Sequence, residues 1–291
     1  MTTTFDISWG FFTLLAWGGA DYLARTSSVR TGSLNTAFFV QAIGWVLPAL
    51  YLGISLTISG TDRDIDWATL ARLVPLTAVL LGVGYSIYYR GLEVGSVSVV
   101  SAVTSAWLLV SVLLTTFFFD EVITSSQWAL ILTVTGGIAL LSIHRAALHG
   151  TGTGFWYGVG AMAFLGGAFA LWKPLTEAGG PFLAVVLVRG LSSIVTLALL
   201  RLREMPIIWP AGSTRWLLLG AAALDALGYI IYNMGLDRAS LAITAPLAAA
   251  HPLGTIALAW WLLRERPGRL QVVGISVTLA GVIALSAIAV V

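Results

Sequence analysis

Cysteine is absent from the 291-residue sequence, and charge is scarce, with 15 Lys and Arg, 13 Asp and Glu, and 10% charged residues in all. The first absence excludes disulfide scaffolds, thiolate zinc sites and cysteine nucleophiles. The second leaves too little charge to cover a soluble surface, because ordinary soluble domains are about a quarter charged. A cytosolic enzyme, a disordered chain and a nucleic-acid binder acting through a basic face are all excluded. Catalytic motifs are missing too: there is no HExxH pair, no Walker lysine loop and no GxSxG elbow. The glycines at 150–154 lie between apolar runs and read as a linker rather than a dinucleotide fingerprint. Two of the three histidines, His144 and His149, sit at the end of one run, so no metal site and no cofactor are expected.

What the sequence has in abundance is apolar length: 58% of its residues are hydrophobic. A hydrocarbon core about 30 Å thick takes about 20 residues of helix. Runs of that kind fall at 8–24, 34–57, 70–89, 96–118, 126–143, 155–172, 181–200, 216–235, 240–263 and 270–290. They are continuous rather than alternating, which argues for helices and against a β-barrel. The expected fold is therefore an all-α polytopic membrane protein with ten transmembrane helices. The first run lacks a basic n-region and a cleavage site and reads as a retained span.

The cations sort by loop. Arg25, Arg30, Arg90, Arg145, Arg201, Arg203, Arg215, Arg264, Arg266 and Arg269 follow odd-numbered spans, whereas only Arg63, Arg72, Lys173 and Arg238 follow even ones. The positive-inside rule then places the odd loops in the cytoplasm and both termini on the non-cytoplasmic side of the inner (plasma) membrane.

The chain also repeats itself. Residues 85–143 align without a gap on 229–287 at an offset of 144, matching Tyr85, Tyr88, Gly91, Leu92 and Ser96 to Tyr229, Tyr232, Gly235, Leu236 and Ser240. Gly18-Gly19-Ala20 aligns on Gly166-Gly167-Ala168 at an offset of 148, which also puts Gln41 on Arg189. Two five-span units result, 1–148 and 149–291. Five is odd, so the second crosses the membrane in the opposite sense to the first. Such inverted repeats are a transporter feature, with the substrate site near the midplane where the halves meet.

Further motifs point to a family. The fourth span of the first half ends Phe119-Asp120-Glu121, followed by Gln127 and Gly136-Gly137; that of the second ends Arg264-Glu265-Arg266, followed by Gln271, Gly274 and Gly281. In these features, and in Arg189 within Val188-Arg189-Gly190-Leu191, the sequence resembles the drug/metabolite transporter superfamily, in the ten-helix branch built from two EamA-type halves. The first half has Gln41 where that pattern favours Arg. Among its branches, the Trp- and Tyr-rich spans look most like the YddG-type exporters of aromatic and other neutral amino acids. The resemblance implies a secondary transporter working by alternating access, with a small-molecule substrate, an amino acid before others. The alternatives are a carrier of drugs, nucleotide sugars or other metabolites, and an intramembrane enzyme. Anionic cargo would call for a basic midplane, where only Arg189 qualifies.

Ionisable groups inside spans are costly and default to functional roles. Asp225 and His251 are expected in the cavity wall, and either could titrate, which leaves proton coupling open. Arg189 is expected to neutralise Asp225 as a structural ion pair. Asp21, near the end of its run, is placed closer to the interface. Asp225, Tyr229 and Tyr232 lie on one side of span eight, and Tyr85 and Tyr88 on the equivalent side of span three. Thr104 and Trp107 stand in a stripe of span four that aligns on Ala248 and His251. Trp17 joins them as a deep aromatic, while Trp9, Trp67, Trp128, Trp156, Trp209, Trp216, Trp260 and Trp261 read as interfacial anchors. The substrate-binding set is thus Trp17, Tyr85, Tyr88, Thr104, Trp107, Asp225, Tyr229 and His251. Pro246 and Pro252 are expected to kink span nine and serve as a hinge or gate.

Overall fold

A computed structural model describes residues 4–59, 64–95, 97–119, 122–142, 152–238, 241–263 and 268–289. The acidic span ends (Asp120, Glu121, Arg264, Glu265, Arg266), the pair Ser96 and Ser240, and Arg63, His144, Arg145 and His149 lie outside the described residues. Helix is the only regular structure among those described.

The first half contains α1 (Thr4–Thr31), α2 (Ser33–Ser59), α3 (Trp67–Val94), α4 (Val97–Ser105), α5 (Trp107–Phe118) and α6 (Ser125–Ser142). The second contains α7 (Thr153–Ala170), α8 (Trp172–Leu202), α9 (Thr214–Arg238), α10 (Leu241–Ala249), α11 (Pro252–Leu263) and α12 (Arg269–Ala289). These segments make ten spans, because α4 and α5 form one, α10 and α11 another, and α8 continues span six before turning into span seven. Segments 33–54, 67–94, 99–118, 172–202, 214–238 and 241–258 are each long and apolar enough to cross a membrane.

Two expected span ends are corrected. The run at 8–24 continues as helix to Thr31, and the run at 155–172 passes a turn at Leu171 and continues to Gly179. In the last turns of α1, Ser27 and Ser28 are buried against protein, while Arg25 is exposed. The two hairpins then close at equivalent glycines: Gly32 has φ +84° and Gly180 φ +80°, a region open to glycine because it lacks Cβ. They are 148 residues apart, the same offset that relates Gly18 to Gly166.

Packing follows the repeat. Helix α1 lies on α9, and its mate α7 on α3; α10 and α11 cover α1, and α4 and α5 cover α7; α2 meets α8 and α6 meets α12. In lipid such contacts depend on close approach by small residues more than on hydrophobic drive. A Cβ on Gly18 would sit 2.8 Å from the His251 carbonyl oxygen, and one on Gly166 3.1 Å from that of Trp107. Both α1 and α7 therefore press against the break in a neighbouring span. Many hydroxyls in the helices, including Thr13, Thr77, Ser86 and Thr135, are satisfied on the carbonyl four residues earlier.

The largest departure from expectation is the interruption of spans four and nine. Span four turns at Ala106, and span nine turns at Ala250 and His251. Residues 106 and 250 are repeat partners. In span nine the reason is chemical: Pro252 has no N–H to give the Ala248 carbonyl. That carbonyl instead accepts the His251 backbone N–H at 3.1 Å. Pro246 does not interrupt α10, and Pro252 is the first residue of α11 rather than a kink within a helix. Span four breaks without proline. There Ala106 donates to Val103 and Leu109 donates to Ala106, both three residues back.

Candidate functional site

The interruptions deliver Trp107 and His251 to the centre, where α1, α3, α4, α5, α7, α9 and the α10–α11 turn converge. A small cavity there is lined by Trp17, Asp21, Tyr85, Tyr88, Thr104, Trp107, Leu165, Phe169, Asp225 and His251. Its volume of about 30 Å³ is room for a water or two. A larger occupant requires the walls to part.

Seven of the eight expected binding residues line this cavity. Tyr229 does not; it packs behind the wall, 5.2 Å from Trp17 and 5.3 Å from Trp172 between ring centroids, with the Arg189 guanidinium 4.9 Å over its ring. Asp21, Leu165 and Phe169 complete the lining. The expectation that Asp21 lies nearer the interface is corrected: its apolar run ends three residues later, but the helix does not. With α1 continuing to Thr31, it stands ten residues inside the helix and is buried. Aligning Asp21 on Phe169 at an offset of 148 is the signal that identifies both.

Two buried ion pairs organise the polar groups. Arg189 Nη1 lies 2.6 Å from Asp225 Oδ2, and Nη2 donates to the Val40 carbonyl at 2.9 Å. The Tyr85 hydroxyl donates to the other Asp225 oxygen at 2.8 Å. Asp225 thus reaches the cavity with both oxygens occupied. Gly44 makes the arrangement feasible, since a Cβ there would collide with the guanidinium.

The second pair joins α1 to the α10–α11 break: His251 Nε2 is 3.2 Å from Asp21 Oδ2. Asp21 also accepts from Ser101 Oγ at 3.3 Å, and Ser105 Oγ lies 3.4 Å from Nε2. On the other side of the ring, His251 Nδ1 is 3.1 Å from the Ala248 carbonyl, the acceptor released by Pro252.

Rings fill the opposite side. Trp107 stacks on Phe169 with centroids 4.0 Å apart, and Trp17 meets Phe169, Tyr232 and His251 at 5.5, 5.5 and 6.1 Å. The repeat gives this a simple description. Phe169 is the partner of Asp21, and Trp107 the partner of His251. One position in the inverted pair therefore holds an acid and a base, and its equivalent holds two stacked aromatics. Arg189 and Asp225 likewise correspond to Gln41 and Leu81.

A wider recess of about 200 Å³ lies among Thr115, Phe119, Lys173, Pro174 and Glu177. Thr115 is eight residues beyond Trp107 on α5, or about 12 Å along the helix. Six of the expected anchors, Trp67, Trp156, Trp209, Trp216, Trp260 and Trp261, are exposed at span ends, while Trp9 and Trp128 are half-buried.

Comparison with known proteins extends the geometry. A solved structure titled only as the crystal structure of a protein superposes with a TM-score of 0.76 over 99% of this chain and 98% of the other, at 16% identity, a likeness of fold. No curated protein matches the chain. The family model of the EamA-like transporters matches twice, over residues 4–143 and 152–287. The resemblance read from the motifs thus holds at the level of the family, and the chain belongs to the EamA-like transporter family of the drug/metabolite transporter superfamily, multi-pass membrane proteins that carry small molecules.

Proposed function

We propose that this transporter exports amino acids with aromatic and other neutral side chains across the inner membrane, by alternating access between its two five-span halves. The observation that carries this reading is the two-ended cavity, with an acid–base pair at one end and stacked rings at the other. An amino acid has the same division, with a charged backbone and an apolar side chain. Aromatic walls also hold ammonium groups by cation–π attraction, worth about 2 kcal/mol when desolvated. Nucleotide sugars and other anions are disfavoured, since Arg189, the buried arginine behind the cavity wall, is committed to Asp225.

Discontinuous spans meeting at the interface of inverted repeats support the mechanism, because such breaks are where transporters place substrate and where halves pivot. We assign that pivot to Ala106 in span four and to the turn between Pro246 and Pro252 in span nine. Both termini are assigned to the non-cytoplasmic side, which puts the recess by Lys173 and Glu177 on the outer face as an exit vestibule.

Counterflow in proteoliposomes tests the function. Vesicles loaded with unlabelled L-phenylalanine should accumulate labelled phenylalanine, tryptophan and leucine saturably, and labelled glutamate or lysine poorly. Absence of counterflow for every amino acid, by protein that is folded and correctly inserted, rejects the reading.

A further inference from the structure

The hydrogen positions around His251 are over-determined. Nδ1 faces the Ala248 carbonyl, which can only accept, so Nδ1 carries a proton. A neutral ring then leaves Nε2 as a lone pair, yet Nε2 stands 3.2 Å from the Asp21 carboxyl oxygen. Two acceptors do not share such a contact without a proton between them. The pair therefore holds one proton more than a neutral imidazole and a carboxylate supply, and with it the pair is neutral overall. The titratable and charged groups around it are Tyr85, Tyr88 and Tyr89 from α3 and Asp225 from α9, with Arg189 of α8 behind Asp225. Arg189 and Asp225 cancel one another. The charge offered to cargo is thus that of Asp21 and His251.

We propose that Asp21 and His251 form the charge-recognition element of the cavity, and that a zwitterionic cargo opens the pair by inserting its ammonium group against Asp21 and its carboxylate against protonated His251. This rests on the amino-acid reading above and deepens it. The pair closes the site when cargo is absent, because its two groups satisfy one another. Opening it unaided would leave a carboxylate and an imidazolium buried without their partners, which is heavily penalised. A cargo bearing both charges on one carbon replaces both partners together and leaves net charge unchanged, so the proton stays with His251. An amine alone strands the imidazolium, and a carboxylic acid alone strands Asp21. The Trp107–Phe169 stack, at the repeat-equivalent position, receives the side chain.

The test compares three solutes of one shape, L-phenylalanine, phenethylamine and 3-phenylpropionate, as inhibitors of labelled phenylalanine counterflow. Wild-type protein should be inhibited by phenylalanine at least tenfold more strongly than by either analogue. Asp21→Asn should lose the preference for phenylalanine over phenylpropionate. His251→Gln should lose the preference over phenethylamine. Unchanged preferences in both variants overturn the proposal while leaving amino-acid transport standing; no wild-type counterflow at all rejects the transport reading itself. A second measurement needs no cargo and leaves Asp21 and His251 in place. In protein with His144→Asn and His149→Asn, nitrogen-15 NMR of the remaining histidine at neutral pH should show both ring nitrogens protonated. An unprotonated Nε2 overturns the proton-holding pair.

Discussion

The two halves share a backbone frame and differ in what they hang on it. Gly32 and Gly180 close equivalent hairpins, Gly18 and Gly166 press on equivalent breaks, and Ala106 and Ala250 interrupt equivalent spans. Yet the first half supplies Gln41, Leu81 and Trp107 where the second supplies Arg189, Asp225 and His251, and Asp21 stands where the second half has Phe169. The frame is what the proposed alternating access would demand of an inverted repeat, since each half would adopt the other's shape in turn. Cargo selection demands the reverse, a site whose two ends are unlike. Conserving backbone geometry while diverging in side chains meets both demands at once.

The difference can be broken most severely at the buried ion pair. Arg189→Ala leaves Asp225 uncompensated in the interior, a loss of about 3–5 kcal/mol, expected as a marked fall in folded yield and thermal stability in detergent. Arg189→Gln with Asp225→Leu installs the other half's residues, and the double variant should recover most of that stability. A double variant no more stable than Arg189→Ala alone would show that the pair does more than neutralise itself. A smaller effect is expected at the aromatic end. Trp107→Leu keeps an apolar filler but removes the stack on Phe169, and ring pairs of this kind are worth about 1 kcal/mol. Counterflow of aromatic amino acids should weaken roughly fivefold relative to leucine; equal weakening of both would place Trp107 in packing rather than selection.

The smallest effect concerns how the two halves begin their third spans. Asp66 caps α3, accepting from the Thr69 hydroxyl at 2.6 Å and its backbone N–H at 3.0 Å, and these hydrogen bonds hold its carboxyl below the ordinary aspartate range. At the offset of 144 the second half has Pro210 in that place, four residues before α9 begins at Thr214. A lowered carboxyl contributes stability at pH above its unfolded value and loses it as pH falls through the folded one. Asp66→Ala should therefore cost slightly at neutral pH and nothing in strong acid; a deficit that persists in acid would assign the loss to something other than the cap.

Much of the fold was legible because a bilayer imposes long apolar runs, and because the alignment of 85–143 on 229–287 needs no gap. The cavity wall was legible for similar reasons: Trp107 and His251 are deep, polar or aromatic, and repeat partners. Asp21 was misplaced because hydropathy marks where apolar residues stop, whereas α1 continues into a polar, protein-facing segment. The break at Ala106 carried no local signal, since Leu108 stands where the second half has Pro252. Tyr229 shares a helical face with Asp225 and Tyr232 but is drawn behind the wall by Arg189, a contact no spacing rule could supply.

A structure with L-phenylalanine bound tests the central claim most directly. The account predicts the ammonium and carboxylate between Asp21 and His251, with that pair separated, and the ring against Trp107 and Phe169. A ligand lying the other way round, or bound with the Asp21–His251 contact intact, would contradict it.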